Sequence, residues 1–355
     1  MTGFDVLVIG AGPAGCCAAQ SAARGGANVL LVEKNRQVGL PVQCAEFVPW
    51  QLAQRVPIPP HCIAQEIKEM RTVLPDGRIV DKPSRGYVLN RALWDKHLAL
   101  LARRAGAELR VGWTAIERDG ESVLLRRGGR EARVRAQIII GADGPNSTVA
   151  RWIEQTQTQF VHGIEVEIAL PEPRSRTEIY FDPLFHGGYG WLFPKGEWAN
   201  LGVAVSVKMG GRPGEALDHL LDKLELSRAD VIGHLGGKVP TGGPVERLRA
   251  GNILLAGDAA GTTHPITGGG IAPAVISGQM AGCAAAQAIT KQNLTALDAY
   301  PAEWHDMMGG PMIHALDNRR YLDARWSEDP AALSAAVAET WIAFPAYGRR
   351  KDGQG

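Results

Sequence analysis

Three glycine-containing segments, widely separated in the chain, have the spacing of turns that bind phosphate groups. They are residues 10–15 (Gly-Ala-Gly-Pro-Ala-Gly), 141–144 (Gly-Ala-Asp-Gly) and 257–261 (Gly-Asp-Ala-Ala-Gly). In the first segment, Gly10 permits a tight strand-to-helix turn, Gly12 lets the backbone approach a pyrophosphate, and Gly15 allows a helix to pack closely on a strand. A helix that begins at Pro13 and Ala14 presents its N-terminus to the negative charge. Together the segments predict one bound dinucleotide.

An acidic residue follows the second predicted strand at the spacing of a ribose-binding position. Glu33 comes directly after the apolar run at residues 29–32 and can accept hydrogen bonds from the hydroxyls of an adenosine ribose. Lys34, next in the chain, is a further candidate cofactor contact. A glycine turn in an unrelated α/β domain is the alternative, which Glu33 at this spacing disfavours. The motif alone does not distinguish NAD from FAD.

Three aromatic residues alternate along another predicted strand. Tyr189, Trp191 and Phe193 are two residues apart, so their side chains lie on one face of the strand. They could form one wall of a substrate cavity that accepts a prenyl chain or an aromatic ring. Aromatic faces would also stabilise the positive charge that develops when an isolated alkene is protonated. An ordinary buried strand is the alternative.

The five cysteines are odd in number and lack the spacing of a zinc site or a disulfide framework. This usage fits a reducing cytosol, and we expect a cytoplasmic protein without a bound metal. The N-terminus enters a strand directly and shows no signal-peptide pattern. No apolar run is long enough to span a bilayer, so any membrane contact is expected to be peripheral.

The charge balance gives no indication of a charged partner. The 355-residue chain has 38 basic and 37 acidic residues, which gives a formal net charge of +1. Such a balance produces no field strong enough to recruit nucleic acid, so we expect no nucleic-acid partner. An apolar fraction of 45% excludes general disorder, and the length allows one large or two smaller domains.

A βαβ unit must position the first glycine segment. Residues 6–9 form a continuous apolar run typical of a parallel strand covered on both faces, residues 14–23 are a predicted helix, and residues 29–32 are a second strand. Residues 137–140 and 252–256 are two further core strands. Each of these runs into one of the later glycine segments, so the core strands bring all three segments together.

Other elements connect these core strands or follow them. Prolines between residues 45 and 80 predict loops or short elements there, and Asn90 is a predicted cap for a helix over residues 91–104. Residues 160–207 are rich in β-formers and turns, which predicts a sheet belonging to a second domain. After residue 294 the chain is predicted to be mostly helical, with a polar end at residues 349–355.

Two segments resemble the flavoprotein hydroxylase superfamily. Residues 138–151 resemble its Asp-Gly segment, and residues 253–261 resemble its Gly-Asp segment. The matching positions are Asp143 and Gly144 in the first, and Gly257 and Asp258 in the second. The resemblance implies FAD as the cofactor, with Asp258 on the ribityl chain of the flavin and Asp143 also close to FAD.

Arg91 and a glycine-rich loop complete the FAD site that this resemblance implies. Arg91 lies where the superfamily often has an arginine near the flavin phosphates, and a solvated arginine on a helix face is the alternative. The loop contributes Pro265, Gly268, Gly269, Gly270 and Ile271. Its backbone amides, at the start of a small-residue helix, could face the flavin edge where negative charge appears on reduction. The alternative is a glycine-rich loop that only reverses the chain direction and does not contact the flavin.

Two further segments resemble the geranylgeranyl reductase family in particular. Residues 185–196 resemble its Tyr-x-Trp-x-Phe-Pro signature, which contains the three aromatic residues, and residues 41–46 resemble its Cys-Gly-Glu segment. The resemblance implies that Cys44 lies beside the flavin as a proton donor or redox partner, with Glu46 adjusting its environment. A small apolar filler is the alternative for this cysteine.

The predicted fold is α/β, with a Rossmann-like FAD-binding domain, an inserted and mainly antiparallel β-sheet substrate domain, and a helical C-terminal tail. The discontinuous FAD-binding domain takes residues 1–69, 86–155 and 248–292, the substrate domain 70–85 and 156–247, and the C-terminal region 293–355.

The implied function is a reductase in which reduced FAD delivers hydride to a carbon–carbon double bond of an apolar, prenyl-like substrate. A flavin monooxygenase that hydroxylates an aromatic substrate, free or peptide-borne, is the enzymatic alternative. A flavin-binding electron carrier is the alternative outside catalysis. The external electron donor is not identified by the sequence, and NADPH and a reduced ferredoxin-like protein are the alternatives.

Overall fold

A computed structural model describes residues 2–349 and shows the mixed α/β chain with a helical C-terminal region that the sequence predicts. Its strands are β1 (Thr2–Ile9), β2 (Val29–Glu33), β3 (Phe47–Pro49), β4 (Ile63–Val73), β5 (Ile79–Leu89), β6 (Glu108–Val111), β7 (Thr114–Asp119), β8 (Ser122–Arg127), β9 (Arg130–Gly141), β10 (Phe160–Ala169), β11 (Thr177–Tyr180), β12 (Tyr189–Lys195), β13 (Trp198–Val205), β14 (Val231–Pro240), β15 (Arg249–Ala250) and β16 (Ile253–Leu255). The α-helices are α1 (Pro13–Arg24), α2 (Arg91–Arg104), α3 (Thr148–Trp152), α4 (Pro213–Lys223), α5 (Ile271–Thr290), α6 (Ala299–Trp304), α7 (Gly310–Ala324) and α8 (Pro330–Thr340). From residue 350 onward, the predicted polar end lies outside the described residues.

The first sheet is a mainly parallel layer built on the predicted βαβ unit. Its order is β15-β16-β9-β1-β2-β6, parallel except for the β15–β16 pair. An antiparallel extension follows, in which β8 pairs with β9 and β7 pairs with β8. Every residue of β2 is buried. Such continuous apolar strands require cover on both faces. Because β1, β9 and β16 are parallel, their carboxyl ends lead into the three glycine segments at one edge of the sheet.

Small residues allow α5 to pack directly on α1. A Cβ atom built on Gly278 would lie 2.2 Å from the carbonyl oxygen of Ala14, and one on Gly282 would lie 2.2 Å from that of Ala18. No real side chain tolerates contacts this short, so glycine at these positions is required for the close approach of the two helices. The pair fixes the N-terminus of α1 beside the third glycine segment.

The second sheet contains the aromatic strand. Its order is β14-β10-β13-β12-β11-β4-β5-β3, antiparallel apart from the β4–β11 pair. Apolar side chains of β13 and β12 pack on one face against leucines of α4. Since side chains alternate along a strand, the three aromatic residues of β12 point to the opposite face.

Parts of the second sheet differ from the sequence expectation. Between residues 45 and 80, where prolines predict only loops or short elements, β4 runs for 11 residues. Register shifts against β5, one of them between Ile67 and Glu69, break its alternation and hide the period of two. The expected domain boundary at residue 69 falls inside β4. The glycine-rich β14, which the sequence does not predict, pairs along β10 at the sheet edge.

Candidate active site

The first glycine segment forms a turn in which two glycines are required by close backbone contacts. Gly10 has a φ of +99°, and a Cβ atom there would lie 2.3 Å from the carbonyl oxygen of Ala142. One on Gly15 would lie 1.8 Å from the carbonyl oxygen of Gly10, whereas one on Gly12 meets no atom within 4 Å. Gly12 is the N-cap of α1, and Pro13 follows it. The open space therefore lies at a helix N-terminus, where an anion is stabilised.

A crevice of about 140 Å³ opens beside this turn. It is lined by Ala11, Gly12, Glu33, Asn35, Gly39, Leu40, Pro41, Val42, Gln43, Arg91 and Asp95. Glu33 is buried, and its two carboxylate oxygens accept hydrogen bonds from the backbone of Ala11 at 2.9 Å and of Asn35 at 2.8 Å. The Arg91 guanidinium donates twice to Asp95, both times at 2.8 Å. These two hydrogen bonds fix the position of the guanidinium charge at the crevice.

The three glycine segments approach one another closely. A Cβ atom on Gly257 would lie 2.8 Å from the Cβ of Ala14, so the third segment packs on the start of α1. In the second segment, Gly144 adopts a φ of +81°. Lys34, by contrast, is exposed and does not line the crevice. The structure thus brings the three segments together and leaves Lys34 at the surface.

The two aspartates of these segments have different surroundings. The Asp143 carboxylate accepts hydrogen bonds from Ser147 Oγ at 2.5 Å and from a backbone N–H of α3, so it caps that short helix. Asp258 accepts one from Thr263 Oγ1 at 2.7 Å. Burial raises the pKa of Asp258, against the opposing effects of this bond and of the Arg91 charge. Because only Oδ1 of Asp258 accepts this hydrogen bond, its other carboxylate oxygen can accept further hydrogen bonds.

The glycine-rich loop before α5 contacts the aromatic strand. Tyr189 Oη donates a hydrogen bond to the carbonyl oxygen of Thr267, next to Gly268, which has a φ of +64°. His264 holds the loop through Nδ1, which accepts from Thr267 N at 3.2 Å, and burial lowers the pKa of His264 to about 4. The remaining predicted loop residues are Pro265, Gly269, Gly270 and Ile271, the last of which begins α5. The first N–H groups of a helix have no partner within it and attract negative charge.

Cys44 directly follows the segment that lines the crevice. Its Sγ accepts a hydrogen bond from the backbone N–H of Glu46 at 3.2 Å. Burial raises the pKa of the Cys44 thiol, and the negative charges of Glu46 and Glu165 add to this effect. The Arg91 guanidinium and the hydrogen bond oppose the shift without reversing it. Cys44 is therefore a thiol, not a thiolate, at neutral pH.

Glu46 is the centre of a buried polar network. The residue is 2% exposed and has a φ of +70°. Its carboxylate accepts hydrogen bonds from Lys195 Nζ at 2.5 Å, from Asn200 Nδ2 at 2.8 Å and from Arg91 N at 2.8 Å. The last bond satisfies the first N–H of α2. Asn90 is the N-cap of α2, as predicted, but its side chain makes no capping hydrogen bond.

Lys195 and Asn200 are residues of this site that the sequence reasoning missed. Lys195 is 8% exposed and lies two positions after Phe193. It therefore continues the alternation of the aromatic strand, a signal that could have identified it. Asn200 is fully buried and lies opposite Phe193 in the pairing of β12 with β13. Only the register of the two strands reveals its position.

The aromatic residues of β12 share one face, as their spacing predicts. The ring centroids of Tyr189 and Trp191 are 6.1 Å apart, and Phe193 lies 5.9 Å from Phe47 of β3. Trp191 is 8% exposed. These rings form an apolar wall next to the Cys44 segment, whose Ala45 packs on the same cluster.

A residue from the C-terminal region covers this aromatic wall. Trp341, which follows α8, is 2% exposed, and its ring centroid lies 5.2 Å from that of Tyr189 and 5.1 Å from that of Phe181. Its Nε1 donates to Thr72 Oγ1 at 3.1 Å. The C-terminal stretch is therefore docked on the second sheet, and Trp341 limits the space in front of the wall.

The crevice fits the phosphate and ribose groups of a dinucleotide, because it combines the open space at Gly12 with a fixed guanidinium and a buried carboxylate. A family model described as FAD dependent oxidoreductase matches residues 5–39, which include β1, α1 and β2. Fold, site and match define the protein as an FAD-dependent oxidoreductase.

The chain is 37% identical to the digeranylgeranylglycerophospholipid reductase of Methanosarcina acetivorans, over 95% of this chain and 89% of that protein. Its structure is similar to that of a geranylgeranyl bacteriochlorophyll reductase-like protein from Thermoplasma acidophilum, with a TM-score of 0.84, 27% identity, and coverage of 96% and 97% of the two chains. The chain belongs to the geranylgeranyl reductase family, and the reductase prediction is confirmed. A p-nitrophenol 4-monooxygenase from Pseudomonas putida has a TM-score of 0.75 at 16% identity, over 98% and 97% of the two chains, which shows the common fold alone.

Within residues 2–349, no group of three or more histidine, cysteine or acidic side chains is placed to hold a metal ion. All five cysteines are free, and they are Cys16, Cys17, Cys44, Cys62 and Cys283. No helix in this part of the chain is long and apolar enough to cross a membrane.

Proposed function

We propose that this enzyme reduces carbon–carbon double bonds in the prenyl chains of a lipid. The observation that carries the proposal is the Cys44 thiol, which accepts a hydrogen bond from the backbone of Glu46 and precedes Ala45, a residue packed on the apolar wall of aromatic rings. The names of the relatives support a prenyl-lipid substrate. If that lipid resides in a membrane, the enzyme meets the membrane surface peripherally. NADPH and a reduced ferredoxin-like protein are the two electron donors that we propose to test.

Residues from five parts of the chain would hold FAD. The start of α1 at Gly12 would bind the pyrophosphate, Glu33 the adenosine ribose, and Asp258 the ribityl chain. Arg91 would neutralise phosphate charge, and the N-terminus of α5 would stabilise charge on the reduced ring. When bound, FAD supplies the hydride for the reduction.

The chain's own residues supply orientation and a proton. Tyr189, Trp191 and Phe193 would align an apolar chain and exclude water from it. Cys44 stays protonated at neutral pH because burial raises its pKa, so Sγ–H would give its proton to the second alkene carbon. Trp191 and Tyr189 would stabilise positive charge that develops on the alkene.

The direct test is product analysis. Holoenzyme is reduced chemically without oxygen and incubated with a lipid that carries geranylgeranyl chains. We expect mass spectrometry to show a gain of two hydrogen atoms for each double bond reduced. Unchanged lipid, together with hydroxylation of an aromatic compound when oxygen is admitted, would instead support the monooxygenase.

Replacing Cys44 with serine should slow alkene reduction without loss of FAD. A serine hydroxyl is a much weaker acid than a thiol, so the rate should fall on the order of 10²-fold, as for loss of a general acid. Rapid-mixing absorbance of the flavin measures this rate. Cys283→Ser is the control, because Cys283 is exposed and should be replaceable without effect. Equal rates in the two variants would exclude Cys44 as the proton donor.

Replacing Trp341 with alanine should alter the preference for chain length. The change removes a ring packed against Tyr189 and Phe181, so relative turnover of longer prenyl chains should rise. The cavity should also lower the stability by about 3–5 kcal/mol. Trp341→Phe keeps an aromatic ring and serves as the milder variant. An unchanged ratio of long-chain to short-chain turnover in both variants would contradict this role.

A further inference from the structure

The strand β12 carries a fourth side chain on the face of the aromatic wall. Lys195 lies two positions after Phe193 and continues the alternation that places Tyr189, Trp191 and Phe193 on one face. It is 8% exposed, although a buried ammonium is costly unless a carboxylate pairs with it. Oε1 of Glu167 lies 3.8 Å from its Nζ, beyond hydrogen-bond distance, so the main partner is a different carboxylate.

That partner is the residue two positions after Cys44. Lys195 Nζ donates a hydrogen bond to Oε2 of Glu46 at 2.5 Å. Asn200, on the adjacent strand β13, donates to the same oxygen at 2.8 Å and to the carbonyl oxygen of Ala45 at 3.4 Å. Two side chains of the second sheet thus bind the short segment that begins at Cys44.

The backbone of Glu46 has a strained conformation that these contacts maintain. Its φ of +70° lies in the left-handed region, which a residue with a side chain rarely adopts unless its surroundings impose it. The N–H of Arg91 donates to Oε1 of Glu46 at 2.8 Å, and the N–H of Leu89 donates to its carbonyl oxygen at 3.0 Å. With Lys195 and Asn200, contacts from β5, α2, β12 and β13 hold this one residue.

The strained conformation directs the N–H of Glu46 at the sulfur of Cys44. The hydrogen bond between this N–H and Sγ is 3.2 Å long. It uses a lone pair of the sulfur, so it fixes the side chain and leaves the S–H free to point elsewhere. Once the proton has left, the same N–H stabilises the thiolate, because hydrogen bonds to a charged acceptor are the stronger ones.

The aromatic wall is held rigidly on the same strand. Trp191 Nε1 donates to Oε2 of the buried Glu165 at 2.7 Å. The indole reaches this carboxyl group by lying across Gly202, where a Cβ atom would be 2.4 Å from Cζ2 of Trp191. Since Trp191 and Lys195 share one face of β12, that strand fixes both the wall and the carboxylate of Glu46.

We propose that Lys195 is a positioning residue, which holds the thiol of Cys44 at the aromatic wall through its hydrogen bond to Glu46. This inference rests on the proposed function, in which Cys44 protonates the alkene. In that step the S–H bond breaks, a C–H bond forms on the alkene carbon next to the one that receives hydride, and the thiolate later regains a proton from water. Lys195 keeps its charge throughout.

Single-turnover rates of the reduced holoenzyme test this role. At saturating geranylgeranyl lipid, Lys195→Met should slow oxidation of the flavin on the order of 10²-fold, because a misplaced thiol is a poor proton donor. FAD affinity and the lipid concentration at half-maximal rate should not change. In a Cys44→Ser background, the same change should cost no more than about two-fold, because Lys195 acts through that thiol. Equal losses in the two backgrounds would overturn the proposal.

An infrared measurement on the oxidised holoenzyme separates positioning from stability. The S–H stretching band of Cys44 is the one absent from Cys44→Ser. Wild type should show one narrow band, and Lys195→Met a broad one from a thiol that occupies several rotamers. Lys195→Arg should restore the narrow band and part of the rate. The control is Lys223→Met, which removes a lysine 2.9 Å from Asp182 and should keep the narrow band.

The double variant Glu46→Gln with Lys195→Met keeps the test valid if Lys195→Met alone does not fold. It leaves no unpaired charge, so it should fold, yet it lacks the bond that positions Cys44 and should show the broad band. A narrow band in this variant would overturn the proposal. The band does not depend on turnover. Failure of alkene reduction in wild type, with the bands as expected, would therefore refute the proposed function instead.

Discussion

Replacing Gly15 with alanine will severely destabilise the folded protein, whereas replacing Gly12 with alanine will leave the fold intact and remove FAD binding. A Cβ atom on Gly15 would lie 1.8 Å from the carbonyl oxygen of Gly10, so α1 would have to move away from β1. Overpacking of this kind costs about 1–3 kcal/mol or more. A Cβ atom on Gly12 meets no protein atom within 4 Å and would occupy only the space expected for the pyrophosphate.

Two measurements separate these effects. Denaturation of the FAD-free protein should show Gly12→Ala within about 0.5 kcal/mol of wild type and Gly15→Ala far below it. Titration with FAD should show at least a ~100-fold loss of affinity for Gly12→Ala, which corresponds to about 2.7 kcal/mol. Gly214→Ala is a control, since a Cβ atom there also meets no atom and Gly214 lies in α4. Normal FAD affinity in Gly12→Ala would place the pyrophosphate elsewhere.

Removing Lys195 will destabilise the protein by about 3–5 kcal/mol, because Glu46 is left buried without that counter-charge. Removing Glu46 should cost less, because the ammonium of Lys195 retains Glu167 at 3.8 Å. The two side chains are 2% and 7% exposed. Glu46 also binds the first N–H of α2, so Glu46→Gln should disturb the Cys44 loop in addition. The double variant Glu46→Gln with Lys195→Met leaves no unpaired charge and should lose much less than the sum of the two single losses.

The control is a surface ion pair. Arg126 and Glu131 are 2.8 Å apart with side chains about half exposed, and Glu131→Gln should cost at most about 1 kcal/mol. Unfolding in urea measures all four variants. Additive losses in the double variant would show that Glu46 and Lys195 do not act as a pair.

The parts of the fold that depend on local pattern were predictable. The βαβ unit and the glycine turn follow from short-range spacing, because close backbone contacts require Gly10 and Gly15 and open space lies at Gly12. The aromatic face of β12 follows from the alternation of side chains. Family resemblance indicates Cys44 and Glu46; in the structure Ala45, between them, packs on that face, and Glu46 accepts a hydrogen bond from Lys195 of the same strand.

The contacts that define the polar network were not predictable, because they join distant parts of the chain. Glu46 and Lys195 are separated by 149 positions, and Trp341 reaches Thr72 across 269. The contact between Glu165 and Trp191 depends on strand register and on Gly202 between them. The strands β4 and β14 were also not predictable from the sequence. Bulges interrupt the side-chain alternation of β4 and glycines weaken the strand pattern of β14, and both strands are stabilised by pairing with β5 and β10.

Oxidation of the reduced flavin by an alkene is the most direct test of the central claim. Holoenzyme is reduced without oxygen and mixed rapidly with a geranylgeranyl lipid while the flavin absorbance is followed. The proposed function predicts that the oxidised flavin spectrum returns without oxygen, with one double bond saturated for each flavin oxidised. A flavin that stays reduced with the lipid, and is reoxidised only by oxygen with hydroxylation of an aromatic compound, would contradict it.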